Sequence, residues 1–76
     1  MGSKPRLAAI PERITRARIE AGLTPKQLAD KMGVSRQSIW YYESGECSPK
    51  APVLAKIAEA THRHISYFLP PDEEAA

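Results

Sequence analysis

The stretch Leu23-Thr24-Pro25-Lys26-Gln27-Leu28-Ala29-Asp30-Lys31-Met32-Gly33-Val34-Ser35-Arg36-Gln37-Ser38-Ile39-Trp40-Tyr41-Tyr42-Glu43-Ser44-Gly45 decides the fold. Thr24-Pro25 is a helix start: a hydroxyl able to cap, then proline at the first helical position, where its missing N–H would be unpaired anyway. Leu28, Ala29 and Met32 form one apolar stripe, and Gly33 ends the helix after about two turns. Only Val34 separates it from Ser35, which caps a second short helix over 36–42 with Ile39 and Tyr42 facing inward. Ser44-Gly45 closes that helix. Ala29 lacks the bulk that would hold the two helices apart, Gly33 permits the positive φ of a tight turn, and Val34 and Ile39 plug the gap between the helices and the rest of the core.

Upstream, Ile10, Ile14, Ala17 and Ala21 recur at steps of four, three and four, the spacing of one helix face. Pro11 suits the first turn of that helix and Gly22 its left-handed stop, so the first helix is expected over 11–21. Downstream, Glu46-Cys47-Ser48-Pro49 reads as a loop. Ala51-Pro52 opens a fourth helix with Val53, Leu54, Ile57 and Ala58 on its apolar face, ending near Thr61-His62. A fifth, short helix carries Ile65, Phe68 and Leu69 before Pro70-Pro71 stops it. No segment alternates apolar and polar residues with β-branched enrichment for long enough to read as a strand. The expectation is all-α: five short helices packed around Ile14, Leu28, Val34, Ile39, Tyr42, Leu54, Ile57 and Phe68. Residues 1–9 read as a tag remnant and flexible arm, 10–69 as one domain and 70–76 as a flexible acidic tail.

Seventy-six residues make one small module. A chain that short has a thin core and often leans on a disulfide, a metal or a partner subunit. The single cysteine, Cys47, excludes an intrachain disulfide. Cys47 with His62 and His64 falls short of the four ligands a zinc site needs, so His62 reads as the residue past a helix end, His64 as a cap and Cys47 as a loop thiol. No glycine-rich phosphate loop and no paired carboxylates point to catalysis, so no enzyme, cofactor or metal is expected. No apolar run approaches the ~20 residues of a membrane span, and nothing resembles a signal segment, which fits a reduced, cytoplasmic setting. The formal charge is only +2. Three of the acids lie in Asp72-Glu73-Glu74, however, which leaves the rest of the chain at about +5. That imbalance is a weak pointer to a polyanion partner.

Two short helices joined by a tight glycine turn are the helix-turn-helix geometry, whose second helix is free to enter a major groove. Here the sequence resembles the phage repressor/Cro-type, or Xre-type, helix-turn-helix family. The elements that carry the resemblance are Gly22-Leu23-Thr24, Leu28-Ala29, Gly33-Val34-Ser35, Ile39, Glu43-x-Gly45, Pro49 and Leu54-x-x-Ile57-Ala58, in family order and spacing over about residues 10 to 69. The resemblance implies a five-helix lambda-repressor-like DNA-binding domain with its helix-turn-helix at about 24–44. It implies sequence-specific binding to double-stranded DNA, as a transcriptional regulator.

Carried over position by position, the base-reading places are held by Ser35, Arg36, Gln37 and Tyr41. Arginine grips guanine O6/N7 and glutamine grips adenine N6/N7, each good pair giving about 1–3 kcal/mol of discrimination. The backbone clamp corresponds to Thr24, Ser44 and Lys50. Arg18 and Glu43 hold the places of an ion pair joining the first helix to the end of the third, with Arg18 presented to phosphate; the plainer reading is a solvated Arg18. Pro25 stands where many relatives place a phosphate-contacting glutamine, and Lys26 or Gln27 are the candidate substitutes.

Trp40 holds a place usually small or polar, and two readings stand: it leans on the DNA backbone or it covers the second helix. Tyr42 falls on the buried stripe, so the Trp40-Tyr41-Tyr42 cluster makes a poor stacking platform for single strands. Thr61 and Arg63 replace apolar residues usual at the last turn, which points to irregular packing there or to a polar edge of a subunit interface. One short recognition helix reads few base pairs, so a homodimer on a palindromic operator is expected, with His64, Ile65, Tyr67 and Phe68 as the candidate interface. The rival readings are an antitoxin-like module whose main partner is a protein, and the DNA-binding fragment of a longer regulator.

Overall fold

The computed structural model describes residues 6–68 of the chain. The described residues are helical and contain no strand. They form α1 (Arg6–Glu20), α2 (Pro25–Met32), α3 (Arg36–Ser44) and α4 (Ala51–Thr61), followed by a single 3₁₀ turn over Ile65–Phe68. Four α-helices replace the five expected. The closing segment has an i to i+3 bond, from the Tyr67 N–H to the His64 carbonyl at 2.9 Å. Four residues followed closely by two prolines provide too few i to i+4 bonds to sustain an α-helix. Leu69, the acidic tail and residues 1–5 of the expected arm lie outside the described residues.

Helix α1 begins at Arg6, within the segment expected to be an arm, and runs through Pro11. Proline there deletes one backbone bond, but Ile10, the residue before it, packs on the core and holds the upstream turn in place. Helix α3 runs two residues further than expected, to Ser44, with Gly45 at φ 87° as its left-handed cap.

The core consists of Ile14 and Ala17 from α1, Leu28, Ala29 and Met32 from α2, Ile39 from α3, Leu54, Ile57 and Ala58 from α4, and Phe68. Each helix thus contributes one stripe, as the spacing of its apolar residues dictates. Val34 and Tyr42, expected in the core, are half-buried against its edge. Among helix pairs, α2 packs on α3 and α4, while α1 packs on α3. Helix α3 is therefore held from two sides, with its remaining face turned to solvent.

Candidate nucleic-acid interface

The turn between α2 and α3 is fixed by local chemistry at every step. The Thr24 hydroxyl accepts from the Gln27 N–H at 3.1 Å, and the Gln27 side-chain oxygen accepts from the Thr24 N–H at 2.8 Å, a reciprocal capping box. At the other end of α2, Gly33 sits at φ 73°, and the Val34 N–H reaches back to the Ala29 carbonyl at 3.0 Å. The Ser35 hydroxyl then accepts from the Ser38 N–H at 3.2 Å and starts α3. That duty places Ser35 at the cap, with its oxygen also 3.1 Å from the Ser38 hydroxyl.

Arg36, Gln37, Trp40 and Tyr41 are exposed on α3, while Ile39 behind them is fully buried. The Gln37 amide donates to the Tyr41 hydroxyl at 2.9 Å, one turn along the helix. Trp40 and Tyr41 meet edge-on, with ring centres 5.4 Å apart. No protein group among the described residues pairs with the Arg36 guanidinium. Trp40 is more than half exposed and shares an open groove with Pro25 of α2.

The base of α3 is tied to α1. Arg18 Nε donates to Glu43 at 2.7 Å and Nη2 to its second carboxylate oxygen at 3.3 Å, while Nη1 donates to the Leu23 carbonyl at 2.9 Å. The two side chains are only 13% and 14% exposed. This forked pair binds α1, the loop after it and the end of α3 into one unit. These bonds occupy three of the five Arg18 N–H groups and leave one on each Nη for the phosphate contact expected of it.

The remaining clamp candidates differ in what they still offer. Lys26 makes an exposed i, i+4 pair with Asp30 at 3.3 Å, too weak to hold it from a phosphate. Thr24 keeps its own hydroxyl proton, and Gln27 keeps its amide donors, after the capping box is formed. The Ser44 hydroxyl donates to the Tyr41 carbonyl and accepts from the Glu46 N–H, each at 3.3 Å. Lys50 is exposed at the start of α4, where its side chain makes no capping bond.

Comparison with known proteins agrees with this geometry. A family model described as Helix-turn-helix matches residues 14–68. The chain belongs to the helix-turn-helix family. An uncharacterized HTH-type transcriptional regulator of Methanothermobacter thermautotrophicus is 42% identical over 60 residues, covering 78% of this chain and 87% of the relative. A second, of Archaeoglobus fulgidus, is 36% identical over 63 residues, covering 82% and 90%. Among solved structures, the clp gene regulator ClgR from C. glutamicum superimposes with a TM-score of 0.77 at 23% identity, covering 83% of each chain, and at that identity it supports the fold alone.

The face of this helix-turn-helix domain remote from α3 corrects two expectations. Phe68, proposed for a subunit interface, is fully buried in the core and unavailable to a partner. Thr61 is also internal: its hydroxyl donates to the Ile57 carbonyl at 2.8 Å, so the helix itself satisfies the polar group, while Arg63, two residues on, stays part-exposed. Of the other interface candidates, His64 is exposed and accepts the Ser66 N–H at 3.2 Å, and Ile65 is half-buried.

Tyr67 is half-buried between two arginines that sequence reasoning did not connect to it. Arg13 donates to the Tyr67 carbonyl at 2.8 Å and lies 5.6 Å from its ring centre. Arg63 lies 4.8 Å from the same centre and pairs with Glu20. No local pattern signals this arrangement, since Arg13 and Tyr67 are 54 residues apart. Cys47 is an exposed thiol, and among the described residues no three His, Cys, Asp or Glu side chains gather as a metal site would require. Also among the described residues, no helix is long and apolar enough to cross a membrane.

Proposed function

We propose that this chain binds double-stranded DNA sequence-specifically as a transcriptional regulator, with α3 in the major groove, acting without cofactor in the cytoplasm. The observation that carries this reading is the outward face of α3: an unpartnered Arg36 beside Gln37 and Tyr41, on a helix capped at both ends. Arg36 supplies the fork that matches guanine O6 and N7. The Tyr41 hydroxyl holds one N–H of Gln37, leaving the other N–H and the oxygen for the N7 and N6 of adenine. Thr24, Lys26, Gln27 and Lys50 lie at or near the starts of α2 and α4 and serve the phosphates; the N–H groups at those helix starts add to the attraction.

A nine-residue helix reads only a few base pairs, so two copies are needed for useful affinity. The chain acts as a homodimer on a palindromic operator, with half-sites about one helical turn apart. His64, Ile65 and the open side of Tyr67 form the contact between copies. Selection of bound duplexes from a random library at physiological salt tests this. An enriched inverted repeat is the expected result. A single asymmetric motif would remove the dimer, and no enrichment would remove the DNA reading in favour of a protein partner such as a toxin.

A further inference from the structure

Trp40 is a large apolar side chain that the fold does not use. It is 56% exposed, although Ile39 beside it is fully buried. It lines an open groove with Pro25, Arg36 and Gln37, between the start of α2 and the outer face of α3. The Tyr41 ring meets it at a steep angle, with centres 5.4 Å apart. Among the described residues nothing accepts a hydrogen bond from the indole N–H. The groove thus has two apolar walls, the Trp40 and Pro25 rings, and neutral donors in the indole N–H and the remaining Gln37 amide N–H.

Arg36, exposed on α3, supplies a cation to the groove's lining. Glu43 closes the inner end, where Arg18 neutralises it. Apolar walls, neutral N–H donors and a neighbouring cation match the C–H surface of a deoxyribose followed by its phosphate better than an apolar peptide. Pro25 sharpens the point, because it has no N–H to give a phosphate at this helix start.

We propose that Trp40 grips the sugar-phosphate strand beside the recognition helix, its ring lying on a deoxyribose and its indole N–H donating to the phosphate. This rests on the reading that α3 enters the major groove. The contact contributes affinity without sequence preference. Being neutral, it displaces no counterion and leaves the salt dependence of binding unchanged.

Trp40 is the sole tryptophan, so the emission of the unmodified protein reports on it directly. The protein is titrated with a selected duplex carrying a dye whose anisotropy records binding independently. At saturation the emission is expected to shift to the blue and acrylamide quenching to fall at least twofold. Full binding by anisotropy with unchanged emission and quenching overturns the Trp40 contact while leaving the DNA reading intact. No anisotropy change with any duplex overturns that reading and the contact with it.

Trp40→Phe keeps a ring and removes the donor. It is expected to weaken binding about 5-fold on selected and scrambled duplexes alike, with the same salt slope. A loss confined to one base position would make Trp40 a base reader and overturn the backbone assignment.

Discussion

Four arginines of this domain have contrasting fates. On the side formed by α1, α4 and the closing 3₁₀ turn, Arg13 is bonded to Tyr67, Arg18 to Glu43 and Leu23, and Arg63 to Glu20. On the outer face of α3, Arg36 has no partner among the described residues. In the sequence these residues count equally toward a basic body. In the fold, three of them hold helices together and one is left for an external anion. Partnership says more than charge count about which arginines belong to the scaffold, although Arg16 on α1 is exposed and also has no partner among the described residues.

The sharpest way to break that comparison is to release a scaffold arginine. Glu43→Ala leaves Arg18 largely buried without its carboxylate, and a stability loss of about 3 kcal/mol is expected from urea unfolding. Replacing both partners, as Arg18→Met with Glu43→Leu, removes the stranded charge and should cost clearly less than Glu43→Ala alone. A double variant as unstable as the single one would mean the pair matters through its shape and not through its charge.

Arg36 tests the other side. Arg36→Ala should leave the unfolding midpoint in place, since no protein group loses a partner. Binding to the selected site should weaken by about 2 kcal/mol, with relaxed preference at one base position. Equal loss on selected and scrambled duplexes would remove Arg36 as a reader and make it one more phosphate contact. Lys50→Ala is the smaller companion, expected to cost about 1 kcal/mol on both kinds of duplex and to flatten the salt slope by about 0.9. An unaltered slope would take Lys50 out of the clamp.

What was legible in the sequence follows the range of the interactions. The caps of α2 and α3 are local, so Thr24 and Ser35 were legible as helix starts, as were the apolar stripes of the four helices; their partners Gln27 and Ser38 emerged only in the fold. The Arg18–Glu43 contact spans 25 residues and was reached only through the resemblance. The Tyr67 clamp had neither a local pattern nor a family motif to announce it. Two readings failed because burial is a property of the whole. Phe68 sits on the same short segment as half-exposed Tyr67, yet points the opposite way into the core. Thr61 looked like a defect in an apolar face until its bond to the Ile57 carbonyl accounted for it.

The smallest effect lies in two turns of the same form. After α2 the chain reverses through Gly33 at φ 73°, and after α4 through His62 at φ 59°, each followed by a residue whose N–H reaches back five positions. Glycine adopts that backbone freely, whereas a side chain there costs on the order of 1 kcal/mol. His62 is exposed, and its side chain makes no contact that offsets this strain. His62→Gly should therefore stabilise the domain, by about 0.5 kcal/mol after the greater freedom of glycine in the unfolded chain is subtracted. Because the turn lies away from α3, DNA affinity should stay the same. A stabilised variant with unchanged binding would separate scaffold from interface at the level of a single backbone angle, and weakened binding would place the α4 turn within the interface after all.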